Sequence, residues 1–73
     1  MDEVLDLRGL KCPLPALMTK KALAKCVPGA RLTMLADDPL ARIDIAHMCH
    51  GEGHTLTRVT THESHSEFCI TRG

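Results

Sequence analysis

The chain has 73 residues, nine basic and nine acidic side chains and a single aromatic, Phe68, which bounds it to one small domain that buries about 60–65% of its unfolded surface. Apolar residues at 44% and charged residues at 25% exclude disorder, while zero formal charge and one aromatic leave no phosphate attraction and no stacking platform for nucleic acid. No apolar run approaches the roughly 20 residues of a membrane span, and the acidic start Met1-Asp2-Glu3 is unlike a signal peptide, so a cytoplasmic chain with no membrane contact is expected.

Residues 3–8 alternate, with Leu5 and Leu7 on one face, and read as a strand. Gly9 allows a turn. Cys12 precedes Pro13, and proline suits the first helical position because its missing N–H would be an orphan there. This helix is expected to run to about Cys26 and to end at Pro28-Gly29. Residues 30–36 are nearly all apolar and predict a central strand. Asp37 or Asp38 then caps a second helix with Pro39 at its start, running to about His50 and stopping at Gly51 and Gly53. Residues 54–61 and 66–72 read as strands around a hairpin loop of His62, Glu63, Ser64 and His65. The stretches "LRGLKCPLP" and "MLADDPLA" echo each other as two βα units. The order βαβαββ, with right-handed crossovers, predicts an α/β two-layer sandwich. Its four-stranded mixed sheet carries two helices on one face, within one domain spanning residues 1–73.

On the first helix Ala16, Thr19, Ala22, Leu23 and Cys26 share a stripe that suits the core. Leu14, Leu17 and Met18 point elsewhere, beside Lys21 and Lys25. Either they widen the buried stripe or they form an exposed apolar patch with a basic margin, a docking surface. On the second helix Ala41, Ile45, Met48 and Cys49 form the core stripe, with His47 and His50 opposite.

The four cysteines, Cys12, Cys26, Cys49 and Cys69, include no Cys-x-x-Cys pair, which disfavours a thioredoxin-type dithiol. In a secreted chain they could form two disulfides; in a reducing compartment they are free thiols, ligands or catalytic groups. Cys12 is the most informative. It falls between the carboxyl end of a strand and the amino end of a helix, the edge where α/β sheets bind ligands. Free N–H groups and the helix dipole favour an anion there, and a thiolate is one, with a pKa lowered at helix N-termini. Arg8 and Lys11 are close in sequence and would help; Asp37 and Asp38 would oppose. The structural alternative is a buried or merely capping cysteine.

The stretches "LDLRGLKCPLPALMTKKAL", "LADDP" and "DIAHMC", with Pro28-Gly29 and Gly53-His54 between and after them, resemble the TusA/SirA-like family of small sulfur-carrier proteins over essentially the whole chain. The family signature Cys-Pro-x-Pro is met by Cys12, Pro13 and Pro15, and Asp38-Pro39 matches the start of the second helix. The resemblance implies a βαβαββ sandwich like the C-terminal domain of a bacterial translation initiation factor. It implies that Cys12 accepts sulfane sulfur as a persulfide and hands it on, as a sulfurtransferase with little turnover alone. Family members serve tRNA thiolation, sulfur oxidation and related sulfur or selenium metabolism. The expected partners are a cysteine desulfurase or rhodanese-type donor and a downstream acceptor protein; a monomer without cofactor or metal is expected. Ile43 stands where many members have Arg, and Ala46 where many have Pro.

Cys26 and Cys49 are expected in the core, and Cys69 on the open side of the sheet if Phe68 and Ile70 face inward. Five histidines, His47, His50, His54, His62 and His65, crowd the second half. With Cys49 or Cys69 they offer an alternative reading as a metal-binding module, although the spacing matches no zinc pattern. A second alternative is a regulatory adaptor that docks through Leu14, Leu17 and Met18.

Overall fold

The computed structural model describes residues 3–73; Met1 and Asp2, part of the acidic start, lie outside the described residues. The elements are β1 (Glu3–Asp6), α1 (Leu14–Ala24), β2 (Arg31–Ala36), α2 (Ala41–Glu52), β3 (Thr55–Thr61) and β4 (Ser66–Thr71). They form one four-stranded sheet in the order β1-β2-β4-β3. β1 runs parallel to β2, with Leu5 opposite Met34. β4 lies antiparallel between β2 and β3, with Phe68 opposite Met34 on one side and Val59 on the other.

The sheet buries one face. Leu32, Met34 and Ala36 alternate inward along β2, and Phe68 and Ile70 along β4. These side chains meet Leu23 of α1 and Ala41, Ile45, Met48 and Cys49 of α2 in one apolar cluster, closed at the end of β1 by Leu7. Both helices therefore pack on the same face, in the expected two-layer βαβαββ arrangement. β2 is an inner strand as expected, yet it is not buried on both faces: Thr33 and Leu35 look toward the open side and are half-buried.

Among the described residues, β3 contains the one irregularity of the ladder. Leu56 pairs with Ile70 and Arg58 with Cys69, leaving Thr57 as an extra residue. The bulge lets Leu56 and Val59, three apart in sequence, both pack against the core. The 62–65 loop closes as a hairpin, His62 N–H donating to the His65 carbonyl at 2.8 Å.

Element ends differ from the sequence expectation for local reasons. β1 stops at Asp6 because Gly9 turns the chain with φ of 90°, although Leu7 N–H still bonds the Leu35 carbonyl at 2.8 Å. Pro13 is the N-cap and not the first helical residue; that place falls to Leu14, whose N–H closes a turn on the Lys11 carbonyl at 2.8 Å. Pro15 enters the first turn instead, and its ring is buried. The helix closes at Ala24, two residues early, leaving Cys26 half-buried and not in the core. α2 begins at Ala41, since the Asp38 side chain is engaged by the Leu40 N–H at 2.9 Å in a turn ahead of the helix. Gly51 stays helical; Gly53, at φ 78°, ends the helix in the left-handed conformation.

Candidate functional site

Because β1 and β2 are parallel, the segments that follow them emerge at the same sheet edge. Each carries the N-terminus of a helix there. The two turns are tied together by acidic side chains of the second acting on N–H groups of the first. Asp37 accepts from Gly9 N–H at 3.0 and 3.1 Å through its two oxygens. Asp38 Oδ2 accepts from Cys12 N–H at 2.5 Å while Oδ1 takes the Leu40 N–H. Asp38 therefore fixes the main chain at Cys12, and these N–H bonds, with Lys11 nearby, hold its carboxyl below the usual range.

Cys12 is exposed, and its Sγ–H donates to Asp44 Oδ2. Asp44 stands in the first turn of α2, so the pair bridges the two helix starts. The electrostatics run against the sequence expectation. The hydrogen bond to Asp44, some burial, and the negative charges of Asp44 and Asp38 push the Cys12 thiol up, not down. A carboxylate in contact outweighs the partial charge of a helix end. Arg8 does not offset it. Its guanidinium is bound by Asp6, with Nε to Oδ1 at 2.9 Å and the second contact to Oδ2 at 2.8 Å.

Sequence reasoning missed Asp44. The signal was present in the topology: parallel adjacent strands bring both helix starts to one edge, and Asp44 lies one turn from Ala41 and Met48, beside the core stripe. Of the other expected residues, Cys12, Lys11 and Asp38 come together, Pro13 and Pro15 frame the turn, and Arg8 stands apart with Asp6.

The α1 face next to this turn is apolar and open. Leu14 is 46% exposed, Leu17 50% and Met18 42%, so they do not widen the buried stripe. Lys21, in the last turn of α1, is exposed too. Between the helices a shallow groove runs away from the site, lined by Pro13, Ala16, Leu17, Asp44, His47 and Met48, with the Lys20–Glu52 ion pair at 3.5 Å beyond.

The remaining thiols divide by burial. Cys49 is buried and its thiol is pushed up by that burial. Cys69 is half-buried on the open sheet face, 3.8 Å from Thr33 Oγ1. The histidines are dispersed. His54 Nδ1 accepts from Gly73 N–H at 3.0 Å, His62 lies 3.4 Å from Glu67, and His62 and His65 stack at 4.8 Å. Among the described residues no three His, Cys, Asp or Glu side chains converge to hold a metal ion, and no helix is long and apolar enough to cross a membrane.

Comparison with known proteins places this geometry in context. A family model described as "Sulfurtransferase TusA" matches residues 3–72. Two proteins of Neisseria meningitidis, from serogroups A and B, are each 52% identical to the chain over 54 residues, covering 74% of it and 73% of their own length. The serogroup A protein is named "Putative sulfur carrier protein NMA0882" and its serogroup B counterpart likewise, as NMB0681. A crystal structure of a SirA-like protein from Desulfitobacterium hafniense superposes with a TM-score of 0.84 at 29% identity, covering 97% of both chains.

Proposed function

The chain belongs to the TusA sulfurtransferase family, and from that membership we propose that it carries sulfane sulfur as a persulfide on Cys12, relaying it from a donor protein to an acceptor. The observation that carries the reading is the position of Cys12: an exposed thiol in Cys-Pro-Leu-Pro, at the edge where both helices start. A carrier must present its sulfur to two other active sites, and an exposed turn braced from below can do so. Asp38 braces the main chain at Cys12. Pro13 and the buried Pro15 restrict the turn on the other side.

The chemistry is an exchange between sulfurs. Cys12 Sγ attacks the outer sulfur of a donor persulfide, the donor's S–S bond breaks, and a new S–S bond forms on Cys12. Cys12–SH and R–S–SH become Cys12–S–SH and R–SH, the thiol proton ending on the departing donor sulfur. No net oxidation occurs and no cofactor is consumed. Delivery is the same exchange in reverse roles. The donor is a cysteine desulfurase or a rhodanese-type protein, the acceptor another sulfur-handling protein, and the setting the cytoplasm. Leu14, Leu17 and Met18, exposed next to the turn and edged by Lys21, are the docking surface. Apolar side chains gain by leaving water on contact, and the lysine margin favours an acidic partner.

The test is intact mass spectrometry of reduced protein incubated with a cysteine desulfurase and cysteine, and in parallel with a rhodanese and thiosulfate. Parent protein is expected to gain the mass of one sulfur with at least one donor, and Cys12→Ser none. Leu17→Glu is expected to load more slowly because it charges the docking face. Equal loading of Cys12→Ser and parent would sink the reading.

A further inference from the structure

The contact between Cys12 Sγ and Asp44 Oδ2 is not required by the fold. Cys12 is exposed and Asp44 half-buried, the contact spans 32 positions of sequence, and neither side chain belongs to the apolar core. A sulfur nucleophile placed against a carboxylate is an unusual choice for a protein that needs a thiolate. The usual ways of activating cysteine put a cation or a free helix N-terminus beside it. Here both are weakened. Arg8 is drawn off by Asp6. The Leu14 N–H closes on Lys11, and Pro15 has no N–H to offer.

We propose that Asp44 is the residue that holds the proton on the unloaded Cys12 thiol, so that the empty carrier is poorly reactive toward adventitious electrophiles. The inference rests on the carrier reading for its purpose but not for its measurement. An ionised carboxylate only accepts hydrogen bonds, so it binds Cys12 as S–H and repels it as S⁻. The groups facing the sulfur from the neighbouring elements act in the same sense. Asp44 comes from α2 and Asp38 from the turn before it, both raising the thiol. Lys11, on the loop of Cys12 itself, lies by Asp38. Asp37 is occupied at Gly9 N–H. His47, one turn beyond Asp44, lines the groove that leads away. Lys20 of α1 is paired with Glu52.

Loading undoes the hold by geometry. When the donor's outer sulfur arrives, Sγ gives up its proton, which passes along the hydrogen bond and ends on the departing donor thiol. Sγ then has nothing to donate. The carried sulfur sits about 2 Å further out, away from Oδ2, where its charge is less opposed. Asp44 thus separates a quiet empty state from a reactive loaded one.

The experiment is the rate of iodoacetamide alkylation at Cys12, followed by peptide mapping as a function of pH, in unloaded parent protein and Asp44→Asn. The parent is expected to show a midpoint above the roughly 8.5 of ordinary cysteine, and the variant a lower midpoint, with alkylation at pH 7 roughly threefold or more faster. Superimposable profiles would overturn the proposal. If Asp44→Asn loses its cooperative thermal transition, the parent alone decides, because a midpoint at or below the ordinary value overturns the proposal equally. Alkylation reads protonation whether or not sulfur is ever carried. A flat comparison therefore removes Asp44 and leaves the carrier reading, whereas failure to load sulfur removes the carrier reading and leaves the proton-holding pair.

Discussion

Asp6 and Arg8 sit two residues apart at the end of β1 and join through two side-chain contacts, with Arg8 N–H adding a third bond to Asp6 at 3.1 Å. These bonds hold the Asp6 carboxyl down to about 2. Its ordinary value is about 3.9, so the folded state binds the proton less readily than the unfolded one. The stabilisation is therefore present above about pH 4 and is lost as pH falls through about 2. Asp38 is shifted in the same direction by its two N–H bonds and adds to the same acid limb. Asp6 is exposed and Asp38 half-buried, so solvent and salt screen the effect, most strongly at Asp6. The expected outcome is a urea midpoint that falls between about pH 4 and about 2, with a shallower fall in Asp6→Asn. Parallel curves for the two proteins would show that the pair contributes nothing. Sequence reading assigned Arg8 to Cys12 and missed its pairing with Asp6, although the two partners are close along the chain. Residues two apart on a strand share a face, and "LDLR" places an acid and a base in that relation. Asp44 was not legible in this way. Its partner Cys12 lies 32 positions off, and no local period points from one to the other; only the parallel pairing of β1 and β2 brings them together. Local charge counting favoured a depressed thiol pKa because Arg8 and Lys11 are near Cys12 in sequence. In space Arg8 already has a partner and the acids are closer.

At the scale of the elements, the burial stripe of α2 was legible in full, that of α1 only at Thr19 and Leu23, and the helix starts were not. Ala41, Ile45, Met48 and Cys49 repeat at helical spacing, and all four are buried; a 3.6-residue period leaves little freedom in which face turns inward. The starts of α1 and α2 each fall later than proline placement suggests. In both, a turn precedes the helix, closed by Leu14 N–H on Lys11 in one and by Ala41 N–H on the Asp38 carbonyl at 3.0 Å in the other. The bulge in β3 also escaped the sequence reading, yet it leaves a trace: Leu56 and Val59 are three apart where a regular strand would space inward residues by two. That spacing makes a specific prediction. Deleting Thr57 brings Leu56 and Val59 to the regular spacing, and the ladder from Ile70 to Phe68 can close without interruption. The cost is the hydrogen bond from Thr57 Oγ1 to the Cys69 carbonyl at 3.0 Å, about 1 kcal/mol. The deletion protein is expected to keep a single cooperative unfolding transition. Deleting Thr33 from β2, which has no bulge to absorb the change, puts Leu32 and Met34 on opposite faces of the sheet. That protein is expected to show no cooperative transition. Loss of cooperativity in both deletions, or in neither, would mean that the bulge does not set the register.

The whole molecule is small enough that its core is one cluster spanning both layers, and this decides how its thiols report on folding. Edge strands are managed at the same scale. β1 is four residues long, with Glu3 and Asp6 at its ends, which discourages another strand from adding there. A chain of this length is stable by roughly 4–11 kcal/mol, and no part of the apolar cluster can open far without the rest. Cys49 belongs to that cluster at 2% exposure, and burial also disfavours its thiolate. Cys26 and Cys69 lie at the margin, half-buried. Cys26 Sγ reaches the Ala22 carbonyl at 3.3 Å, and Cys69 looks onto the open sheet face. These two are accessible through local movement, whereas Cys49 requires global opening. In native protein, labelling of Cys49 is therefore expected to be at least about 1,000-fold slower than in the unfolded chain. It is expected to accelerate with urea along the slope of the global unfolding transition. Cys26 and Cys69 are expected to label faster and with little dependence on low urea. Mass spectrometry of individual cysteine peptides across a urea series distinguishes these cases. A Cys49 rate that stays flat in low urea, or matches that of Cys26, would mean that α2 detaches from the sheet on its own. The second helix, and with it Asp44, would then be a mobile cover over Cys12 and not a fixed wall.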